Sequence, residues 1–150
     1  DKLRLIIKDE LERQGPDADL NFIDTSLIKN MVMLFMCLDI QNIKIDQWDV
    51  SNVKDMSSMF RGCSDFNADL SSWNVSKVEI MDGMFFDCRH FNSDLSKWNV
   101  SRVFSMSSAF DGCEQFNSDL SNWNVSNVVD ASFVFNFCLK MPYKFRPSFS

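Results

Sequence analysis

The sequence predicts an α/β solenoid of about five 25-residue coils, each with a short strand and a short helix, entered through an amino-terminal capping helix. Three observations lead there. Residues 66–90, FNADLSSWNVSKVEIMDGMFFDCRH, return at 91–115 as FNSDLSKWNVSRVFSMSSAFDGCEQ, identical at 13 of 25 positions. Trp48, Trp73, Trp98 and Trp123, with Cys63, Cys88, Cys113 and Cys138, carry the same period through 41–65 and 116–140. A fixed period of this size marks an array whose units touch only their neighbours. Finally, the apolar spacing changes within each copy. Closely spaced apolar residues from Leu70 to Val75, rich in tryptophan and valine, read as brief extended segments. From Val78, the spacing of three and four through Met81, Met84, Phe85 and Cys88 reads as one face of a short helix.

In chain order, residues 1–15 form the capping helix. Leu3, Ile6, Ile7 and Leu11 recur at helical spacing, and Gly15-Pro16 ends the run. Shielding the first coil is its expected task; the rival is a partner-binding or membrane-surface helix. Residues 16–140 are the array. Its first copy, 16–40, is degenerate: aligning Phe35 with Phe60 puts Met31 on Met56, Ile23 on Trp48 and Leu38, not Cys37, opposite Cys63. Four full copies follow, at 41–65, 66–90, 91–115 and 116–140. Ser76, with Glu79 three residues later, suggests a capping box for the helix of its copy. Residues 141–150, MPYKFRPSFS, form a carboxy-terminal cap or a truncated repeat.

Stacking places like over like. The expected structural ladders are the four tryptophans, Phe60, Phe85, Phe110 and Phe135, and the four periodic cysteines. Neighbouring cysteines in such a column sit at roughly the 5 Å rise of paired strands, a near miss for a disulfide. Reduced, buried thiols acting as small hydrophobes are therefore expected, and Cys37 falls outside the column. Asp69, Asp94 and Asp119 form a polar column. Bonds to nearby backbone amides are the expected role of such residues, and a hard-cation site between the carboxylates is the alternative.

Chemistry-bearing patterns are sparse. His90 is the only histidine and lies in a turn with no fixed nucleophile beside it. No zinc-ligand spacing or phosphate-binding glycine motif occurs, so an enzyme is not expected, nor a cofactor. A net charge of −6 and a pI near 4.6 argue against a nucleic-acid partner. No apolar run is long enough to span a membrane, and no signal peptide is visible. The outward positions Gln47, Ser72, Lys97 and Asn122, with Lys77 and Arg102, offer a polar protein-binding face on the strand side. Phe133, Phe137, Tyr143, Phe145 and Phe149 interrupt the pattern at the carboxy-terminal end and offer a homo-association patch.

The repeat FNxDLSxWNVSxVxxMxxMFxxC, with FN, DLS, W[DN]VS and MF in order, resembles the 25-residue repeat of Mycoplasma-type surface lipoproteins and of BspA-like leucine-rich-repeat surface proteins. The resemblance covers Asp17 to about Lys140 and implies a right-handed leucine-rich-repeat-like solenoid at a bacterial cell surface. Adhesion or host interaction is the implied role, with self-association as a structural module the alternative. It carries over no catalytic residue.

Overall fold

The computed structural model describes residues 2–150. Asp1, the first residue of the expected capping helix, lies outside the described residues. Among them, the only helices are α1 (Lys2–Gln14) and a single 3-10 turn, Tyr143–Phe145, and there is no named β-strand. The expected α/β solenoid, with its leucine-rich-repeat-like strand and helix in each coil, is therefore corrected. The copies are built of turns.

The backbone bonds of the second full copy show why. Trp73, Val78, Met84, Phe86 and Cys88 each donate their N–H to the carbonyl three residues back, at 2.9–3.2 Å. Turns this frequent leave no straight run for a strand, whose usual length is about 3–10 residues. Pairing between copies shrinks to isolated parallel bridges, such as Asn30 with Asp55, Asp55 with Ile80 and Ile80 with Ser105.

The expected helix from Val78 fails for a related reason. Gly83 and Asp87 lie at φ +59° and +58°, in the left-handed region no right-handed helix admits. Met81, Gly83, Phe85 and Asp87 then turn their N–H groups away from their own copy, to the carbonyls of Ser105, Ser107, Ala109 and Asp111 at 2.8–3.0 Å. The donor row at residues 31, 33, 35 and 37, the row at 56, 58, 60 and 62, and the row at 106, 108, 110 and 112 do the same, each 24 residues ahead. Alternate amides thus close turns and alternate amides join copies, which satisfies the backbone without a helix. Ser76 is no helix cap: its N–H donates to Asn74 Oδ1 at 3.1 Å, closing an Asx turn.

The core runs along the inside of this stack. Phe35, Phe60, Phe85, Phe110 and Phe135 stack with ring centroids 5.2–5.7 Å apart. A second column, Phe66, Phe91 and Phe116, lies 4.2–4.6 Å from the first. Such burial is the dominant stabilising term in a chain with so little regular structure.

At the amino-terminal end, α1 buries Ile7 and packs Leu3 and Leu11 against the core. Ile6, expected on the same stripe, is 38 % exposed. Gly15 at φ +86° donates to Leu11 O at 2.8 Å and ends the helix.

Candidate functional site

The residues singled out from the sequence fall into three places. The first is the buried interior. Each tryptophan Nε1 donates to a carbonyl of the preceding copy: Trp48 to Leu20, Trp73 to Ile45, Trp98 to Leu70 and Trp123 to Leu95, at 2.9–3.0 Å. Each periodic cysteine does likewise, from Cys63 to Phe35 O, Cys88 to Phe60 O, Cys113 to Phe85 O and Cys138 to Phe110 O, at 3.0–3.1 Å. All five cysteines are free thiols, and Cys37 alone is exposed. Burial pushes Cys63 and Cys138 up to about 12 and raises Cys88 and Cys113 as well. Such thiols are poor nucleophiles.

The second place is the polar exterior. Asp69, Asp94 and Asp119 accept the N–H of Ser71, Ser96 and Ser121 at 2.9–3.0 Å. Hydrogen bonds from those serines, side chain first and then backbone, hold all three carboxyls below the ordinary aspartate value. Gln47, Ser72, Lys97, Asn122, Lys77 and Arg102 are exposed, but they sit on turns, not on a strand side. Ser72 Oγ and Lys77 Nζ are tied to Asp46 O and Asn52 Oδ1 of the copy before. His90 is exposed, with Nδ1 2.9 Å from Ser64 O and 3.3 Å from Asp65 Oδ1.

The third place is the carboxy-terminal end. Met141 is buried, and Phe145 O accepts the N–H of Leu120 at 2.7 Å, so the segment after 140 covers one part of the last copy. The rest stays open. Phe133 and Phe137 are 69 % and 66 % exposed, and Leu139 and Tyr143 are exposed beside them. They border a groove of about 740 Å³ that also reaches Phe135 and Arg146. The Arg146 guanidinium lies 4.2 Å from the Tyr143 ring centre and 5.5 Å from that of Phe135. Its Nε is buried with no hydrogen-bond partner.

Sequence reasoning missed the arginine at each end. Arg146 carried no periodic signal. Arg4 sits on α1 and donates to the carbonyls of Met33, Leu34 and Met36 at 2.6–2.9 Å. Its signal was its place in the helix, one residue after Leu3, where a charge borders the apolar stripe.

Comparison with protein families matches residues 11–103, more than half of the chain, to DUF285, described as a Mycoplasma protein of unknown function. The chain belongs to the DUF285 family. This corrects the resemblance to BspA-like leucine-rich-repeat surface proteins, because the family carries no such description and the turn-built copies lack the strand such a repeat requires. Neither the curated proteins nor the solved structures gave a match. No helix among the described residues is long and apolar enough to cross a membrane.

Proposed function

We propose that this DUF285 chain is a non-enzymatic protein-interaction scaffold whose main contact is the open carboxy-terminal end, with its polar flank secondary. One observation carries the reading: Phe133 and Phe137 stand mostly exposed at φ +56°, beside the groove. A bulky residue with positive φ is an outlier. Every copy has positive φ at these two corners, from Met33 and Cys37 to Ser108 and Gly112, but only here do both carry aromatic rings left mostly in solvent, an exposed apolar patch of the kind that marks contact surfaces, where aromatic residues dominate binding energy. The non-enzymatic part of the reading draws support from the thiols, which are engaged with carbonyls and raised in pKa.

Self-association is the second reading, favoured by the same exposed rings: two copies would meet through Phe133, Phe137, Tyr143 and Phe149, while Phe145, expected in the same patch, is half-buried against the core. Sedimentation at high concentration separates the two, since a chain that stays monomeric removes the second. The proposal includes the bacterial surface as the place of contact, and surface-restricted labelling of intact cells tests that part.

The test of the main reading is a binding panel of host matrix and cell-surface proteins probed with the natural chain and with Phe133→Ser/Phe137→Gly. Binding that disappears in the double variant, with its circular dichroism unchanged, supports it. A panel with no ligand for the natural chain, or binding indifferent to the double substitution, counts against it.

A further inference from the structure

Three copies carry a chemical group that their fold does not use. Only Asn74, Asn99 and Asn124 are followed, two residues on, by serine or threonine, each time as Asn-Val-Ser. The valine is buried in all three, and the asparagine before it is exposed. Asparagine Oδ1 accepts the N–H of Ser76, Ser101 or Ser126 at 3.0–3.1 Å, so each tripeptide is held in an Asx turn. The other half of the amide is idle. Nδ2 of Asn74, Asn99 and Asn124 has no acceptor among the described residues.

The turn itself needs only the oxygen. Asp24 and Asp49 fill the same place in the first two copies, and their carboxylates accept the N–H of Ser26 and Ser51 at 2.9–3.0 Å without any side-chain nitrogen. Where the nitrogen of an asparagine does serve the fold, it is engaged. Asn52 and Asn127 donate Nδ2 to Ser26 O and Ser101 O at 2.7–2.8 Å. An exposed asparagine two residues before a serine is also the acceptor pattern for N-linked sugar. Pattern and geometry coincide at three places, each with an exposed asparagine, a fixed Oδ1, a free Nδ2 and a serine held next to it.

We infer that Asn74, Asn99 and Asn124 are acceptor sites for N-linked sugar, supplied by a transferase from a nucleotide-activated monosaccharide. Nδ2 forms a bond to the anomeric carbon of the sugar as the bond from that carbon to the diphosphate oxygen breaks. The nucleoside diphosphate leaves with the electron pair, and one Nδ2 proton passes to a base of the transferase. Oδ1 is untouched, so the bond from the serine N–H survives and the copy keeps its turn. Spacing sets the size of the sugar. Trp98 and Trp123, one residue before Asn99 and Asn124, stack 6.5 Å apart, which leaves room for one unbranched sugar on each copy. The three asparagines lie on the polar flank with Lys77 and Arg102, and none of them lines the carboxy-terminal groove. Modification and scaffold role therefore stand or fall separately.

The test starts from chain isolated from the cells that make it, measured by intact mass and by peptide mapping with electron-transfer fragmentation, which keeps a sugar on the residue that carries it. Sugar at positions 74, 99 and 124 is the expected result. Two variants made in the same cells test the geometry. Asn74→Asp/Asn99→Asp/Asn124→Asp keeps the turn in the form that Asp24 and Asp49 already use and removes the accepting nitrogen. Ser76→Ala/Ser101→Ala/Ser126→Ala keeps the backbone N–H that closes the turn and deletes the hydroxyl that a transferase reads. Both should lose the sugar with circular dichroism unchanged. Folded chain made without sugar should also be modified at the same three positions by an asparagine-directed transferase given a nucleotide-activated hexose. Unmodified asparagines at all three positions in chain from its own cells overturn the inference, whatever the purified transferase accepts. So does sugar that persists in the aspartate variant, which places it on another residue. So does a folded chain that the transferase refuses while it accepts the same chain unfolded. In each of these cases the binding panel is untouched and the scaffold role stands.

Discussion

Each tryptophan ties its copy to the one before in two ways, through a buried ring and through a hydrogen bond to a turn carbonyl. Trp98→Phe keeps much of the first and removes the second, while Leu70 O keeps the backbone N–H of Trp73 at 3.1 Å. The loss of one hydrogen bond to an acceptor that keeps another costs about 0.5–1.5 kcal/mol. The urea midpoint should fall accordingly, with the folded spectrum retained. The exposed aspartates act differently. Asp24, Asp49 and Asp119 hold the N–H and Oγ of Ser26, Ser51 and Ser121, and those bonds lower their pKa. A carboxyl lowered on folding contributes stability above its unfolded pKa and loses it as pH falls through the folded value. Asn74, Asn99 and Asn124 make the same backbone bond without a charge, at 3.0–3.1 Å. The triple variant Asp24→Asn/Asp49→Asn/Asp119→Asn should therefore fold at neutral pH but lose less stability than the natural chain on acidification to about pH 3. Thermal melts at the two pH values measure the difference.

At the scale of elements, a turn-built copy and a strand-plus-helix copy put nearly the same residues inside. Val78, Met81, Met84, Phe85 and Cys88 are all buried, as a helical face would require. The period of 25 and the interior ladders were legible for that reason. Spacing does not report φ, and φ decided the element. Left-handed positions at Ser58, Gly83 and Ser108 in successive copies, only one of them glycine, divert alternate amides to the neighbouring copy. The capping box suggested by Ser76 and Glu79 gave no warning, because the Asx residue two places before the serine closes the turn instead. The opening helix was legible from its stripe and its glycine, but its polar work was not. Arg4 supplies fork-shaped donors to three carbonyls of the first copy, a geometry lysine cannot reproduce. Arg4→Lys should lower stability by about 1–2 kcal/mol, on the scale of one or two charge-assisted hydrogen bonds. Accelerated exchange confined to α1 and residues 31–37, rather than spread over all copies, would show that the effect enters at that end.

The whole molecule has two unlike ends, and the direction of its hydrogen bonds is the cause. Along the edge that begins at residue 31, amides always donate toward the following copy, so one end exposes carbonyls and the other exposes amides. Arg4 covers part of the first, at the carbonyls of Leu34 and Met36. The second stays open at residues 131–137. Sequence marked that end, because Phe133 and Phe137 break a pattern of small and polar residues, but bond direction leaves no trace in composition or period. The open end also stores strain. A left-handed conformation costs a residue with a Cβ about 1–2 kcal/mol, and glycine escapes it while losing about 0.5–1 kcal/mol to its freedom in the unfolded chain. The ring of Phe137 is mostly in solvent, so its removal subtracts little burial. Phe137→Gly should therefore stabilise the isolated chain by about 0.5–1 kcal/mol, the difference of those two terms. Phe137→Ala keeps the Cβ and should give no gain. Both substitutions remove a ring of the proposed contact surface, so both should weaken binding to a ligand found in the panel. A contact surface maintained at the expense of stability separates these outcomes, with melting temperature rising only for glycine and ligand affinity falling for both. If Phe137→Gly instead lowers the melting temperature, the ring packs on its own chain and serves as a lid over the last copy.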